Sequence, residues 1–190
     1  MAAMVIDYLQ QAFSKDNVAI SYVYCRHNEQ HKARDLVAAL LRQLVCQLSK
    51  LPEAVEECYT FYSQRNTMPG REKFITLLGI VANQFDQAFI VIDALDEYPE
   101  DDDIRMEVLD SIKDIKKFAN VLVTSRSEIP AIEKSFEGDL WEEIRAADDD
   151  IRAYLKSEIG KRTLLSDQIS KRPSLREEIV TKVVSKAKGM

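Results

Sequence analysis

The chain has 190 residues, 46% of them hydrophobic, and a formal net charge of -6. This length can bury a sizeable core, and the apolar content is too high for a disordered chain. The acidic balance argues against a general nucleic-acid or anionic-membrane binder, because phosphate binding needs clustered Lys and Arg.

The predicted elements alternate between helix and strand along the first 145 residues. Apolar spacing predicts helices over residues 1–13, 32–48, 53–63, 74–85, 101–118 and 131–136, and strands over 18–25, 88–92, 121–124 and 140–145. This alternation predicts an α/β fold with a parallel sheet and helical crossovers.

After residue 147 only helical patterns follow. We therefore expect a core over residues 1–146 and the start of a helical lid over 147–190, which stops before the lid is complete.

The central stretch is residues 88–99, AFIVIDALDEYP. Its five uncharged residues suit a strand buried on both faces, and such a strand has no room for a charge until it ends. Asp93 should therefore emerge at the carboxyl edge of the sheet, where open α/β folds bind ligands. Asp96 and Glu97 follow, and three carboxylates there suit a hard cation.

Arg126 follows the next buried strand, residues 121–124. Crossover connections should bring it to the same sheet edge as Asp93. A fixed guanidinium there could bind a phosphate through two hydrogen bonds. The alternative is a surface arginine paired with an acid such as Glu128.

The cysteines are Cys25, Cys46 and Cys58, with no C-x-x-C spacing, so neither a disulfide framework nor a zinc site is indicated. Cys25 with His27 and His31 lacks a fourth metal ligand. No apolar run approaches the roughly 20 residues of a membrane span, and no secretory signal is visible. These features predict a cytoplasmic protein.

The D-A-L-D-E sequence after four apolar residues resembles the Walker B segment of NACHT modules. These belong to the STAND class of signal-transducing P-loop NTPases, and the sequence resembles in particular the nephrocystin-like modules common in fungal NLR-like proteins. The YVYC and NVLVTSR strands, the DDDIRAYL segment and the closing KAKGM occur in the same order as in that family.

The resemblance implies roles for four residues around a bound ATP or ADP. Asp93 would hold Mg²⁺, Asp96 and Glu97 are both candidates for polarising the attacking water, and Arg126 would sense the γ-phosphate. In the intact protein the nucleotide would act as a switch that controls oligomerisation. The expected partners are nucleotide, other protein domains and further copies, without nucleic acid or membrane.

The five glycines never occur as G-x-x-x-x-G-K-[ST], the loop that cradles phosphates in this family. We expect the loop and its strand to lie upstream of Met1, and this chain to bind nucleotide weakly or not at all. Two rival interpretations are a non-catalytic interaction scaffold and a metal-dependent nuclease. Net charge and the lack of a nearby catalytic lysine weaken the nuclease.

Overall fold

The computed structural model describes residues 1–26, 32–98, 102–126, 129–145, 147–161 and 163–187. The chain forms two compact units, Met1–Glu137 and Gly138–Met190. In the described ranges no helix is long and apolar enough to cross a membrane.

The first unit is built on three parallel strands in the order β1-β2-β3. They are Val18–Tyr24 (β1), Gln87–Asp93 (β2) and Asn120–Val123 (β3). The central strand β2 pairs with β1 from Gln87 to Asp93 and with β3 from Phe89 to Ile92. The predicted parallel α/β sheet is therefore confirmed.

Helices connect the strands and flank the sheet. In the first unit they are Ala2–Ala12 (α1), Ala33–Val45 (α2), Glu53–Gln64 (α3), Arg71–Ala82 (α4), Asp102–Ile115 (α5) and Pro130–Ser135 (α6). Each strand-to-strand connection contains at least one helix, as parallel pairing requires.

The two faces of the sheet have separate apolar clusters. Ile90 and Ile92 of β2 point into the larger cluster, which contains α2, α4 and α5 residues such as Leu40, Leu78 and Ile112. Helix α1 lies on the opposite face, over β1 and β2. The alternate side chains of β2 thus enter two apolar layers, which is why the strand reads as a continuous apolar run.

The outer edge of β1 is covered by two glutamine side chains, Gln43 of α2 and Gln47 in the turn directly after that helix. Gln43 accepts from the Tyr22 N–H at 3.0 Å and donates to the Tyr22 carbonyl oxygen at 2.8 Å. Gln47 does the same for Ile20, at 3.1 and 2.7 Å. The amides therefore replace the hydrogen bonds that a further strand would provide.

The second unit contains the helices Asp148–Lys161 (α7), Thr163–Lys171 (α8) and Ser174–Ala187 (α9). They share an apolar cluster whose buried members are Ile159, Ile169, Val180 and Val184. The helical character predicted for this region is thus observed over residues 148–161 and 163–187, with a break at residues 172–173, whereas its role as a lid remains a prediction. The compact units divide at residues 137–138, nine residues before the sequence-based boundary.

The strand predicted over residues 140–145 is wrong, because none of these six residues is in a strand. Leu140 is fully exposed, and Trp141 and Ile144 are 53% and 60% exposed. Their apolar spacing resembles that of a strand, but a strand forms only where a neighbour supplies backbone partners.

Candidate functional site

The site lies at the carboxyl ends of the three strands. Asp93 is the last residue of β2 and is in register with Tyr24 of β1. Thr124 follows β3 directly, and its N–H donates to the Ile92 carbonyl oxygen at 2.9 Å. The prediction that Asp93 and Arg126 follow neighbouring parallel strands at one sheet edge is therefore confirmed.

Thr124 joins the ends of β2 and β3 through its hydroxyl group. The hydroxyl donates to Asp93 Oδ1 at 2.5 Å and accepts from the Ala94 N–H at 2.9 Å. The Thr124 carbonyl oxygen accepts from the Leu95 N–H at 2.9 Å. One residue thus fixes both the Asp93 carboxylate and the backbone that follows it.

The backbone turns sharply after β2. Ala94 has φ 56° and ψ 50°, in the left-handed region, and a short 3-10 turn from Leu95 to Glu97 follows. The left-handed conformation costs a residue with a Cβ atom about 1–2 kcal/mol. Such costs are common at functional sites, where the surrounding contacts fix an unusual geometry.

Asp96 is paired with Arg126 across the two strand ends. Asp96 Oδ1 accepts from the Arg126 backbone N–H at 3.1 Å, and Oδ2 accepts from Arg126 Nε at 2.5 Å. The Asp96 side chain is only 4% exposed, whereas that of Arg126 is 79% exposed. The pair is therefore a buried carboxylate with an arginine that extends into solvent.

Burial and the arginine have opposite effects on the Asp96 carboxyl group. Burial raises its pKa, but the hydrogen bonds and positive charge of Arg126 together outweigh this, so the pKa lies below its ordinary value. Asp96 is thus held as a carboxylate and is a weak base while Arg126 stays in place.

Asp93 and Glu97 are both half-buried. Asp93 Oδ2 and the Glu97 carboxylate accept no hydrogen bond from the residues that the structure describes. Among the same residues, no group of three His, Cys, Asp or Glu side chains is arranged to hold a metal ion. Asp93, Asp96 and Glu97 therefore do not form a three-carboxylate cage.

Cys25 follows β1 and lies beside the acids. Its N–H donates to the Asp93 carbonyl oxygen at 2.9 Å, and the residue is 6% exposed. Burial, and after it the charges of Asp93, Asp96 and Glu97, raise the pKa of the Cys25 thiol to about 12. The thiol is therefore neutral at ordinary pH and is a poor nucleophile.

Tyr98 lies in the same region, after the 3-10 turn. Its hydroxyl group is buried and makes no hydrogen bond with any described residue. Burial is the largest cause that raises the pKa of this hydroxyl, followed by the charge of Cys25. Tyr98 is therefore uncharged at ordinary pH.

The sequence-based prediction named Asp93, Asp96, Glu97 and Arg126, which the structure brings to neighbouring strand ends, but it did not name Thr124. The signal was a hydroxyl residue at the end of a buried strand, where it can reach the neighbouring strand. The suggested partner of Arg126, Glu128, and the candidate ligands His27 and His31 lie outside the described residues.

Two open grooves lie outside this site, one between α4 and α5 beside Gly79 and Phe118, the other along α3 beside Phe61. The features that mark the strand ends as a candidate site are the hydrogen-bonded side chains and their charges.

A three-stranded parallel sheet flanked by helices, with acids at its carboxyl edge, is consistent with a P-loop-like α/β fold. Residues 1–126 match the family model described as Nephrocystin 3, N-terminal. Since the match covers 126 of 190 residues, the chain belongs to this family. No curated protein matched the chain.

Proposed function

We propose that this chain is the nucleotide-binding part of a NACHT-type signal-transducing NTPase. ATP or ADP with Mg²⁺ would bind beyond the carboxyl ends of β2 and β3. The observation that carries the proposal is Asp93, whose Oδ1 is fixed by Thr124 while Oδ2 has no partner among the described residues. Arg126 on the adjacent strand end supplies the complementary positive charge.

The residues present fit a magnesium ion held mainly by phosphate and water. Mg²⁺ in nucleotide sites keeps several waters and uses one or two carboxylates, so the lack of a three-acid cage is compatible with it. Asp93 presents one free carboxylate oxygen, which would hold the ion directly or through water. The ion would neutralise charge on the β- and γ-phosphates.

The remaining residues would divide the work of phosphate recognition and hydrolysis. Arg126 would bind the γ-phosphate, and a carboxylate of the D-E pair, Asp96 or Glu97, would orient the attacking water. The bound nucleotide would set a conformation that controls association with other copies. This role as a switch comes from the resemblance to NACHT modules.

The rival proposal is an interaction scaffold without nucleotide. It is favoured by one sequence observation, that G-x-x-x-x-G-K-[ST] does not occur in the 190 residues. That loop supplies several hydrogen bonds to phosphate, each worth about 1.5–3 kcal/mol. Without two or three of them, a micromolar site becomes one of about millimolar affinity.

The test is an NMR titration of the chain with Mg²⁺–ATP up to about 10 mM, where a site of millimolar affinity still responds. We expect saturable shifts at the backbone amides of residues 93–97 and 124–126. Asp93→Asn should weaken the response when Mg²⁺ is present. Asp86→Asn, which lies just before β2 at the amino ends of the strands, should not. If the amides at the strand ends do not respond at all, the scaffold is the better proposal.

A further inference from the structure

The contacts of Arg126 leave part of its guanidinium free. Its Nε and backbone N–H are both engaged by Asp96, whereas Nη1 and Nη2 make no hydrogen bond with the described residues. The Arg126 side chain as a whole is 79% exposed. Arg126 is thus attached at one side and still has donors for a second anion.

The position of Asp96 suits it to hold Arg126 rather than to activate a water molecule. Both of its carboxylate oxygens accept from Arg126, and the side chain is 4% exposed. A water that is to be activated must reach a free carboxylate oxygen within hydrogen-bond distance. Asp96 has no such oxygen in this arrangement, whereas the neighbouring Glu97 has a carboxylate with no described partner.

We infer that Asp96 is a positioning residue that anchors Arg126, so that its Nη atoms bind the terminal phosphate of a nucleoside triphosphate. This inference rests on the proposed function and divides the roles within its D-E pair. Glu97, not Asp96, is then the carboxylate left to orient the attacking water.

The physical basis is preorganisation of a flexible side chain. An arginine that is already in its binding rotamer loses less conformational entropy when the phosphate arrives. Arg126 contacts only the third phosphate, so the gain applies to ATP and not to ADP. Asp96 therefore acts as a determinant of triphosphate selectivity without touching the nucleotide.

The test compares Mg²⁺–ATP and Mg²⁺–ADP affinities, by NMR titration, for the wild-type chain, Asp96→Asn and Glu97→Gln. Both variants remove one negative charge near the nucleotide, but only the first loosens Arg126. We expect Asp96→Asn to lower the preference for ATP over ADP about fivefold, the upper end of what a solvent-exposed ion pair contributes, because the Arg126 partner is exposed. Glu97→Gln should not lower the preference, because Arg126 keeps its contact with Asp96 and one charge that repels the third phosphate is removed.

A second readout follows Arg126 itself. In the wild-type chain its Nε–H signal should be protected from exchange with water and should shift with ATP but not with ADP. In Asp96→Asn the signal should become that of a solvated arginine while the other amide signals stay dispersed. Arg126→Gln, at an exposed position, should also remove the ATP preference, and adding Asp96→Asn to it should cause no further loss.

Two results would overturn the inference alone. One is an ATP affinity that rises in Asp96→Asn beyond the rise in Glu97→Gln, because Asp96 would then compete with phosphate for Arg126. The other is that both nucleotides bind the wild-type chain without preference. A chain that responds to neither nucleotide overturns the proposed function, and the inference falls with it.

Discussion

At the scale of single residues, the Thr124 hydroxyl group connects the ends of two neighbouring strands. Its hydroxyl group donates to Asp93 and accepts from the Ala94 N–H, so both functions of the group are used. Replacing it by a methyl group leaves a half-buried carboxylate and a backbone N–H with one partner fewer.

We expect Thr124→Val to lower the free energy of unfolding by about 1–3 kcal/mol, the cost of leaving such groups unpaired. Thr124→Ser keeps the hydroxyl group and should lose less than half of that. Urea unfolding of the two variants measures the difference. Equal losses would show that the methyl group, not the hydroxyl, carries the contribution.

Ala94 offers a prediction of opposite sign. Its positive φ is accessible to glycine without a steric penalty. Ala94→Gly should therefore stabilise the chain by about 1 kcal/mol, the cost of the left-handed conformation less the greater entropy of an unfolded glycine. Ala39→Gly, at an exposed position within α2, should instead destabilise by about 0.5–1 kcal/mol. Thermal unfolding of the pair tests the signs.

Asp96 should make stability depend on acid pH. Its pKa in the folded chain lies below the ordinary 3.8, where burial is outweighed by Arg126. Between these two pKa values the unfolded chain binds more protons, so this stabilisation is present above pH 3.8 and is lost as pH falls through the folded value. Asp96→Asn should flatten that part of the stability profile.

The control for this pH profile is Asp110→Asn, whose carboxylate is half exposed and pairs with Lys113 on the surface of α5. Asp110→Asn should leave the loss of stability at acid pH as it is in the wild-type chain. A wild-type profile with the same acid limb as Asp96→Asn would contradict the prediction.

At the scale of elements, α2 has a second role beyond its apolar face. Gln43, together with Gln47 just after the helix, covers the Tyr22 and Ile20 backbone groups that no described strand pairs, and so protects this edge against association with another chain. We expect Gln43→Leu to cost about 1–2 kcal/mol, because the Tyr22 N–H and C=O lose their partner. Gln10→Leu, at an exposed position in α1, should be nearly neutral in the same urea unfolding experiment.

The elements also show what a sequence can and cannot predict. The apolar run before Asp93 identified a strand buried on both faces, because such a strand needs an apolar side chain at nearly every position. The contacts Thr124–Asp93 and Arg126–Asp96 join residues about 30 positions apart and depend on register, which apolar patterns do not specify. The strand predicted over residues 140–145 was wrong for a related reason. Their apolar pattern suits a strand, but the pattern does not show whether a neighbouring strand is there to pair with it.

At the scale of the whole molecule, the two edges of the sheet are treated differently. The β1 edge is closed by glutamines, whereas no described strand pairs with the far side of β3. Alternation along a strand directs the Val121 and Val123 backbone groups away from β2, because Thr124 bonds to it. Leu122, 38% exposed, adds apolar surface beside this edge.

We therefore expect the chain to associate as its concentration rises, through the β3 edge. Leu122→Lys should reduce the association, because a charge beside an open edge opposes pairing. Leu51→Lys, at a loop residue that is 40% exposed, should not. Sedimentation over a range of concentrations measures this. A monomer at high concentration, with slow amide exchange at Val121 and Val123, would show that the edge is not open.

Because Gln43 and Gln47 cover the outer edge of β1, deamidation of these side chains would affect that edge. Gln43 lies in the last turn of α2 and Gln47 in the turn that follows it, and their amides contact Tyr22 and Ile20, which are alternate residues of β1. Each position needs a side chain that both accepts and donates, and of the common side chains of this length only an amide does so. Hydrolysis of the Gln43 amide to a carboxylate would keep the bond from the Tyr22 N–H but would set two oxygens against each other at the Tyr22 carbonyl. Slow deamidation would then open a sheet edge that the newly made chain keeps closed.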